Sequence, residues 1–168
     1  QPQSETVWRQ ADRYSVPRIC FVNKMDRVGA DFTRTIDMVR QRLGGTPIPV
    51  QYPIGSEDAY VGVVDLIDEK AWLFKRDGTG EMTEAPIPDD IFAEVTKVRE
   101  EMIERIAEND DALIERFLNG VKIPAEELKA GLRRATVANR VVPVLCGSAL
   151  QSLGVQLLLD GVLDFLPS

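Results

Sequence analysis

Arg18-Ile19-Cys20-Phe21-Val22-Asn23-Lys24-Met25-Asp26 is the stretch whose reading decides the fold. Pro17 opens it, an uninterrupted apolar run follows, and the run ends in an amide, an ammonium and a carboxylate. A run of this kind with no alternation is the pattern of a strand buried on both faces of a parallel sheet. A second one, Val141-Val142-Pro143-Val144-Leu145-Cys146, ends in Gly147-Ser148-Ala149. Ligands of open α/β sheets bind beyond the carboxyl ends of the strands, so the two endings are candidates for one site.

The segments flanking these strands read as helices. Gln3 to Tyr14 places Val7, Ala11 and Tyr14 on one side. Asp31 is expected to cap a helix to about Leu43, with Ile36, Val39 and Leu43 inward, before Gly44-Gly45 stops it. Leu153 to Leu166 reads as an apolar helix whose core stripe is Val155, Leu158, Leu159, Val162 and Phe165. Helix, strand and helix at the start, with strand and helix at the end, imply an α/β fold with a doubly wound layer.

The middle reads differently. Pro47 to Ile54, Tyr60 to Ile67 and Lys70 to Lys75 are expected as three short strands. Asp77-Gly78-Thr79-Gly80 is a turn into a possible fourth at Glu81–Glu84. Asp89 or Asp90 is expected to cap a long helix to about Ala107, followed by helices near Asp110–Leu118 and Ala125–Val137. A strand–helix–strand crossover needs roughly 30 residues, whereas Asp26 and Ser148 are 122 apart. An α+β module is therefore inserted into the layer, giving segments 1–44, 45–140 (the insert) and 141–168.

Composition narrows the class. With 168 residues and 44% apolar content, the chain can bury one ordinary core or two small ones. No signal peptide or bilayer-length apolar run is present in the sequence, so a cytoplasmic protein without membrane association is expected. Cys20 and Cys146 lie in apolar strands, lack metal-ligand spacing and have no histidine to assist them, so both read as buried thiols. The beginning, Gln1-Pro2, and the end, Leu166-Pro167-Ser168, read as cuts from a longer protein. Of the net charge of −7, the stretch from Asp77 to Arg116 holds 13 acidic residues against four basic ones, nine net negative charges. This local excess points to a basic partner or a repelled one, and away from duplex DNA, which needs lysine and arginine on its phosphates.

Asn-Lys-x-Asp at a strand end resembles the base-reading sequence of GTP-binding proteins, and its chemistry agrees. Guanine offers two adjacent donors, N1–H and the 2-amino group, which one carboxylate, Asp26, can accept together. Asn23 offers an amide to the N7/O6 edge, and Lys24 can lay its aliphatic stem over the base. The Ala149 N–H suits O6, and the Ser148 hydroxyl can steady the Asp26 loop. Leu150, next in that loop, is counted with the guanine-binding residues. No GxxxxGK[ST] occurs, so the chain has no phosphate nest and no magnesium hydroxyl of that kind. Asp26-Arg27-Val28-Gly29 and Asp77-Gly78-Thr79-Gly80 match the loose magnesium-side pattern DxxG but read as turns. No catalytic residue and no metal ligand is assigned.

Longer runs extend the resemblance. Pro2-Gln3-Ser4-Glu5-Thr6-Val7-Trp8-Arg9-Gln10-Ala11-Asp12, Phe21 to Arg27 with Gly29-Ala30-Asp31-Phe32, Pro53-Ile54-Gly55, Gly62-Val63-Val64-Asp65-Leu66 and Pro143 to Ala149 are all similar to translation elongation factor G. So are Gly154 to Asp160 and Asp164 to Ser168, and the likeness covers essentially the whole chain. It implies the second half of a P-loop-GTPase-like G domain, without the P-loop half, carrying the inserted G′ subdomain. It implies guanine contacts by Asn23, Lys24, Asp26, Ser148 and Ala149. It also implies GTP or GDP as ligand, with Mg2+ held by the half not present, and no nucleotide tightly bound to this piece. A role in ribosomal translocation during protein synthesis follows, with GTPase activity belonging to the intact parent. The departure is Gln151-Ser152-Leu153-Gly154 where the family usually has Lys-Asn-Lys-Gly. That substitution keeps open a recycling factor or a divergent paralogue. A stand-alone interaction module without nucleotide is the remaining alternative.

On a helical wheel, Ile91, Val95, Val98, Met102 and Ile106 form a core stripe of the long helix. Glu94, Glu101, Glu104 and Glu108 fall on the other side, interrupted by Lys97 alone. The resemblance implies that this acidic line docks the basic C-terminal domain of the ribosomal stalk protein, by steering more than by tight contact. The expected state is a monomer.

Overall fold

The computed structural model describes residues 9, 10, 13, 16–23, 25, 31–43, 46–148 and 153–167, with 42 and 43 described by backbone alone. Arg9, Gln10 and Arg13 are helical, and the rest of the expected first helix lies outside the described residues, as do Gly44 and Gly45.

Two sheets form the frame. The strands β1 (Cys20–Val22), β7 (Val142–Cys146) and β2 (Pro47–Pro49) make a parallel sheet in the order β1-β7-β2. The strands β3 (Gln51–Ile54), β4 (Gly62–Asp65), β5 (Lys70–Phe74) and β6 (Met82–Ala85) make an antiparallel meander. β7 is buried at every position, as its unbroken apolar run requires. The helices are α1 (Phe32–Leu43), α2 (Phe92–Glu108), α3 (Asp111–Leu118), α4 (Ala125–Val137) and α5 (Val155–Phe165). Among the described residues no helix is long and apolar enough to cross a membrane.

Local chemistry accounts for most of these elements. Asp31 caps α1: its Oδ1 accepts from Arg34 N at 3.0 Å, and its carbonyl accepts from Thr35 N. Ile36 and Val39 are buried as expected. Asp110 caps α3 through Ala112 N at 3.0 Å. The Asp77–Gly80 segment is an exposed turn, with Asp77 Oδ1 accepting from Thr79 N and Thr79 Oγ1, which also holds the Asp77 carboxyl below its usual range. It leads into β6, the possible fourth strand.

Four expectations are corrected. Pro47 to Ile54 is not one strand but two, which part at Val50 and enter different sheets. Val50 N donates to Val144 O at 3.0 Å in the parallel sheet, while Val50 O accepts from Leu66 N at 3.0 Å beside the antiparallel one. Asp89 and Asp90 do not cap α2 with their side chains. They form a 3-10 turn (Asp89–Ile91) begun by Pro88, where their charges still favour the helix N-terminus.

On α5 the contact line is rotated from the stripe expected. Gly161 and Phe165 are buried, whereas Leu159 is 52% and Val162 38% exposed. A Cβ at Gly161 would stand 3.1 Å from Leu145 Cδ2, so the helix lies closest to β7 through its glycine. Finally, Lys97 does not alone interrupt the acidic line of α2. Arg105 lies beside it, its Nη1 3.1 Å from both oxygens of Glu108 and 3.9 Å from Glu104.

The pleat of β4 divides two cores. Val64 packs with Met102, Ile106, Leu128 and Leu132 under the helices of the insert. Val63, on the opposite face, packs with Val22, Met25, Tyr60 and Cys146 beneath the strand ends of the parallel sheet. The antiparallel sheet is thus part of the floor under the candidate site.

Candidate guanine site

Parallel pairing brings the two polar endings together. Val22 stands opposite Cys146, so β1 and β7 finish side by side. Beyond them Gly147 bonds both ways to the end of β1 and the segment that follows it: its N donates to Val22 O at 3.1 Å, and its carbonyl accepts from Met25 N at 3.1 Å. Asn23 lies between those two anchoring residues. Met25 is buried, packing into the core as expected, and Ser148 is 1% exposed. Of the expected guanine residues, Asn23 and Ser148 are therefore brought to one edge. Lys24, Asp26, Ala149 and Leu150 lie outside the described residues, as does Asp26-Arg27-Val28-Gly29.

The second loop is clamped at its base. Ser148 N donates to Leu153 O and Leu153 N donates to Ser148 O, both at 2.8 Å, which pairs the residues on either side of 149–152. Gly147 permits that closure, because a Cβ there would fall 2.3 Å from Leu153 O and 2.8 Å from Phe21 Cζ. Gly154 follows at φ +80, a left-handed conformation that starts α5.

The insert reaches this edge at two points that the sequence reading missed. Glu57 N, in the 3-10 turn Glu57–Ala59, donates to Met25 O at 3.1 Å. Gln51, 5% exposed, places Oε1 2.9 Å from Cys146 N. No sequence signal marks the first contact, since a main-chain donor is independent of side-chain identity. The second had one: a lone amide inside the run Pro49-Val50-Gln51-Tyr52-Pro53 is a polar group expected to need a partner if buried.

The thiol beside the site is not a nucleophile. Cys146 is fully buried, and burial pushes its pKa up to about 12, against a smaller opposite pull from the Tyr60 hydroxyl bonded to it. Burial also raises that of Cys20. Among the described residues no group of three or more histidine, cysteine, aspartate or glutamate side chains could hold a metal ion.

Along the acidic line on α2, Glu94, Glu101 and Glu108 are exposed and Glu104 is half-buried, and the line is unevenly charged. Glu108 is matched by Arg105. Glu94 bonds to the Tyr52 hydroxyl, whose pKa rises to about 12, first through burial and then through that carboxylate. Glu101 stands on the rim of two grooves, one shared with α1 and one lined by Ile103 and Phe117.

A parallel sheet with two adjacent polar strand ends and an α+β insert between them is the architecture of a GTPase-type α/β domain with an inserted subdomain. The chain belongs to the family described as the elongation factor Tu GTP binding domain, which it matches over residues 1–168. It is similar to "Elongation factor G 1" of Bdellovibrio bacteriovorus, 52% identical over 169 residues, 100% of this chain and 24% of that protein. A crystal structure from Thermus thermophilus matches 98% of the chain and 24% of its own, with a TM-score of 0.85 and 31% identity. The chain spans about a quarter of the length of these relatives.

Proposed function

We propose that this chain is the guanine-selecting part of a ribosomal translocation GTPase of the elongation factor G type, with the insert as its G′ arm. The observation that carries this reading is the pair of bonds made by Gly147 to Val22 and Met25, which sets the Asn23 and Ser148 endings at one strand edge. Asn23, Lys24, Asp26, Ser148, Ala149 and Leu150 form the guanine-binding set. The bound group is GTP or GDP. In the parent, phosphates and Mg2+ are held by residues outside this chain, so the chain alone hydrolyses no GTP and binds it weakly.

The division into 1–44, 45–140 and 141–168 belongs to the same proposal, with the parallel pairing of Pro47–Pro49 favouring an insert that begins nearer Val50. The ribosome is the partner, through the basic C-terminal domain of the stalk protein on the line of Glu94, Glu101, Glu104 and Glu108. The cellular setting is the cytoplasm, and the chain itself is a monomer.

The test is an NMR titration of the labelled chain with GDP and, separately, ADP at millimolar concentrations. Shifts at Val22, Met25, Gly147 and Ser148 with GDP and none with ADP are expected. Equal responses to both nucleotides, or none to GDP, would overturn guanine selection. Micromolar or tighter GDP binding would overturn the assignment of most affinity to missing phosphate contacts.

A further inference from the structure

We infer that Gln51 is a positioning residue for the base-closing loop, through which the insert fixes where β7 ends. This inference rests on the guanine reading of that loop.

The parallel ladder itself supplies the argument. β2 runs beside β7 with Pro47 opposite Val142 and Pro49 opposite Val144. Val142 N donates to Thr46 O, and Val50 N donates to Val144 O at 3.0 Å. Continued by one more step, the ladder would present Val50 O to Cys146 N. That carbonyl is instead occupied by Leu66 N, because the chain turns at Val50 into the antiparallel sheet. Cys146 N would be left buried without a ladder partner, at a cost comparable to a lost hydrogen bond. Gln51 Oε1 fills the vacancy at 2.9 Å, a side-chain carbonyl standing in for the main-chain one.

The position of this bond gives it consequence for the site. Cys146 is the last residue of β7, next to Gly147, which ties the Val22 and Met25 ends, and two before Ser148, which clamps the loop. Gln51 therefore holds the strand end from the flank opposite β1, so that the end of β7 leading to Ser148 is held from both sides. Gln51 itself begins β3, in register with Asp65 on β4. The antiparallel sheet thus reaches the loop through one amide side chain.

The test compares Gln51→Met, which keeps length and removes the acceptor, with Gln51→Glu, whose carboxyl oxygen accepts in either protonation state. Amide hydrogen exchange is read at Cys146, Ser148 and Leu153, with Val63 and Val64 reporting on the core. GDP-induced shifts are read alongside. In Gln51→Met, exchange at Cys146 and Ser148 is expected to rise at least about fivefold with Val63 and Val64 unchanged. The GDP response should weaken in parallel, and Gln51→Glu should restore both. Unchanged exchange at Ser148 in Gln51→Met would overturn the inference. So would faster exchange with an unaltered GDP response, or failure of Gln51→Glu to rescue. If the unsubstituted chain shows no preference for GDP over ADP, the guanine reading falls separately, and the exchange at Ser148 and Leu153 alone decides the role of Gln51.

Discussion

The Asp110 carboxylate receives Arg134 through two donors, with Oδ2 2.8 Å from Nε and 2.7 Å from Nη2. Its other oxygen caps α3. One almost fully buried acid therefore starts one helix and binds the side of another. Replacing Asp110 with alanine removes the cap and should cost about 1–2 kcal/mol in urea unfolding. Asp110→Asn keeps an acceptor for Ala112 N and should lose less, because Arg134 is 56% exposed and regains water. Equal losses in the two variants would contradict the cap as the larger contribution.

Gly147→Ala should destabilise by roughly 1–3 kcal/mol, since the new methyl meets the main-chain oxygen of Leu153 rather than a flexible side chain. The lesion should be concentrated at the loop, with exchange protection lost at Ser148 and Leu153 before it is lost at Val64. A uniform loss across the chain would show that the clamp is not an independent local feature.

Iodoacetamide at pH 8 should leave Cys146 unmodified in the native chain. Burial pushes its thiol up to about 12, and no surface of the residue is open to reagent. Peptide mass mapping should find alkylation only at the rate of unfolding. Rapid native labelling would mean that the floor of the site opens.

Above pH 10 the raised Tyr52 phenol should weaken the fold. The unfolded chain releases this proton near 10 while the folded chain keeps it to about 12, so the folded state binds more protons in that window. Stability then falls as pH rises from about 10 to 12. Tyr52→Phe should flatten that part of the stability–pH curve, read by urea unfolding at each pH, and an unchanged slope would refute the assignment.

The pattern of charges on α2 makes the stalk proposal specific. Neutralising Glu94, Glu101 and Glu104 together should slow association with the stalk C-terminal domain and reduce its salt dependence. Singly, Glu101→Lys should slow it more than Glu108→Lys, whose carboxylate is already matched by Arg105. Stopped-flow rates at low and moderate salt decide this, and an unchanged rate in the triple variant would reject the surface.

The sequence made visible what is set by neighbours along the chain. The cap at Asp31, the alternation of core and solvent on α2, and the unbroken apolar run of β7 each follow from spacing within a few residues. The change of sheet at Val50 was not visible, because Pro47 to Ile54 is uniformly strand-like and only distant partners, Val144 and Leu66, divide it. For the same reason Gln51 passed unnoticed: its acceptor serves a donor 95 residues away. The stripe on α5 failed for a different reason. Hydrophobicity marked Leu159 and Val162, but close approach was set by the absence of a side chain at Gly161. At the strand ends, the main-chain tie that Gly147 makes to Val22 and Met25 was not legible, because it joins residues more than 120 apart in the chain.

The division of Val50 between two sheets also limits how the chain could be shortened. A direct splice from Pro49 to Val141 would remove Val50, Gln51 and Leu66 together, and with them the carbonyl that the ladder would use, the side chain that replaces it and the donor that occupies it. The edge of β7 would have to find a new acceptor at its last residue. An editor seeking a minimal version of this domain therefore has no clean seam here, because the join between module and host is made of bonds that each part has ceded to the other.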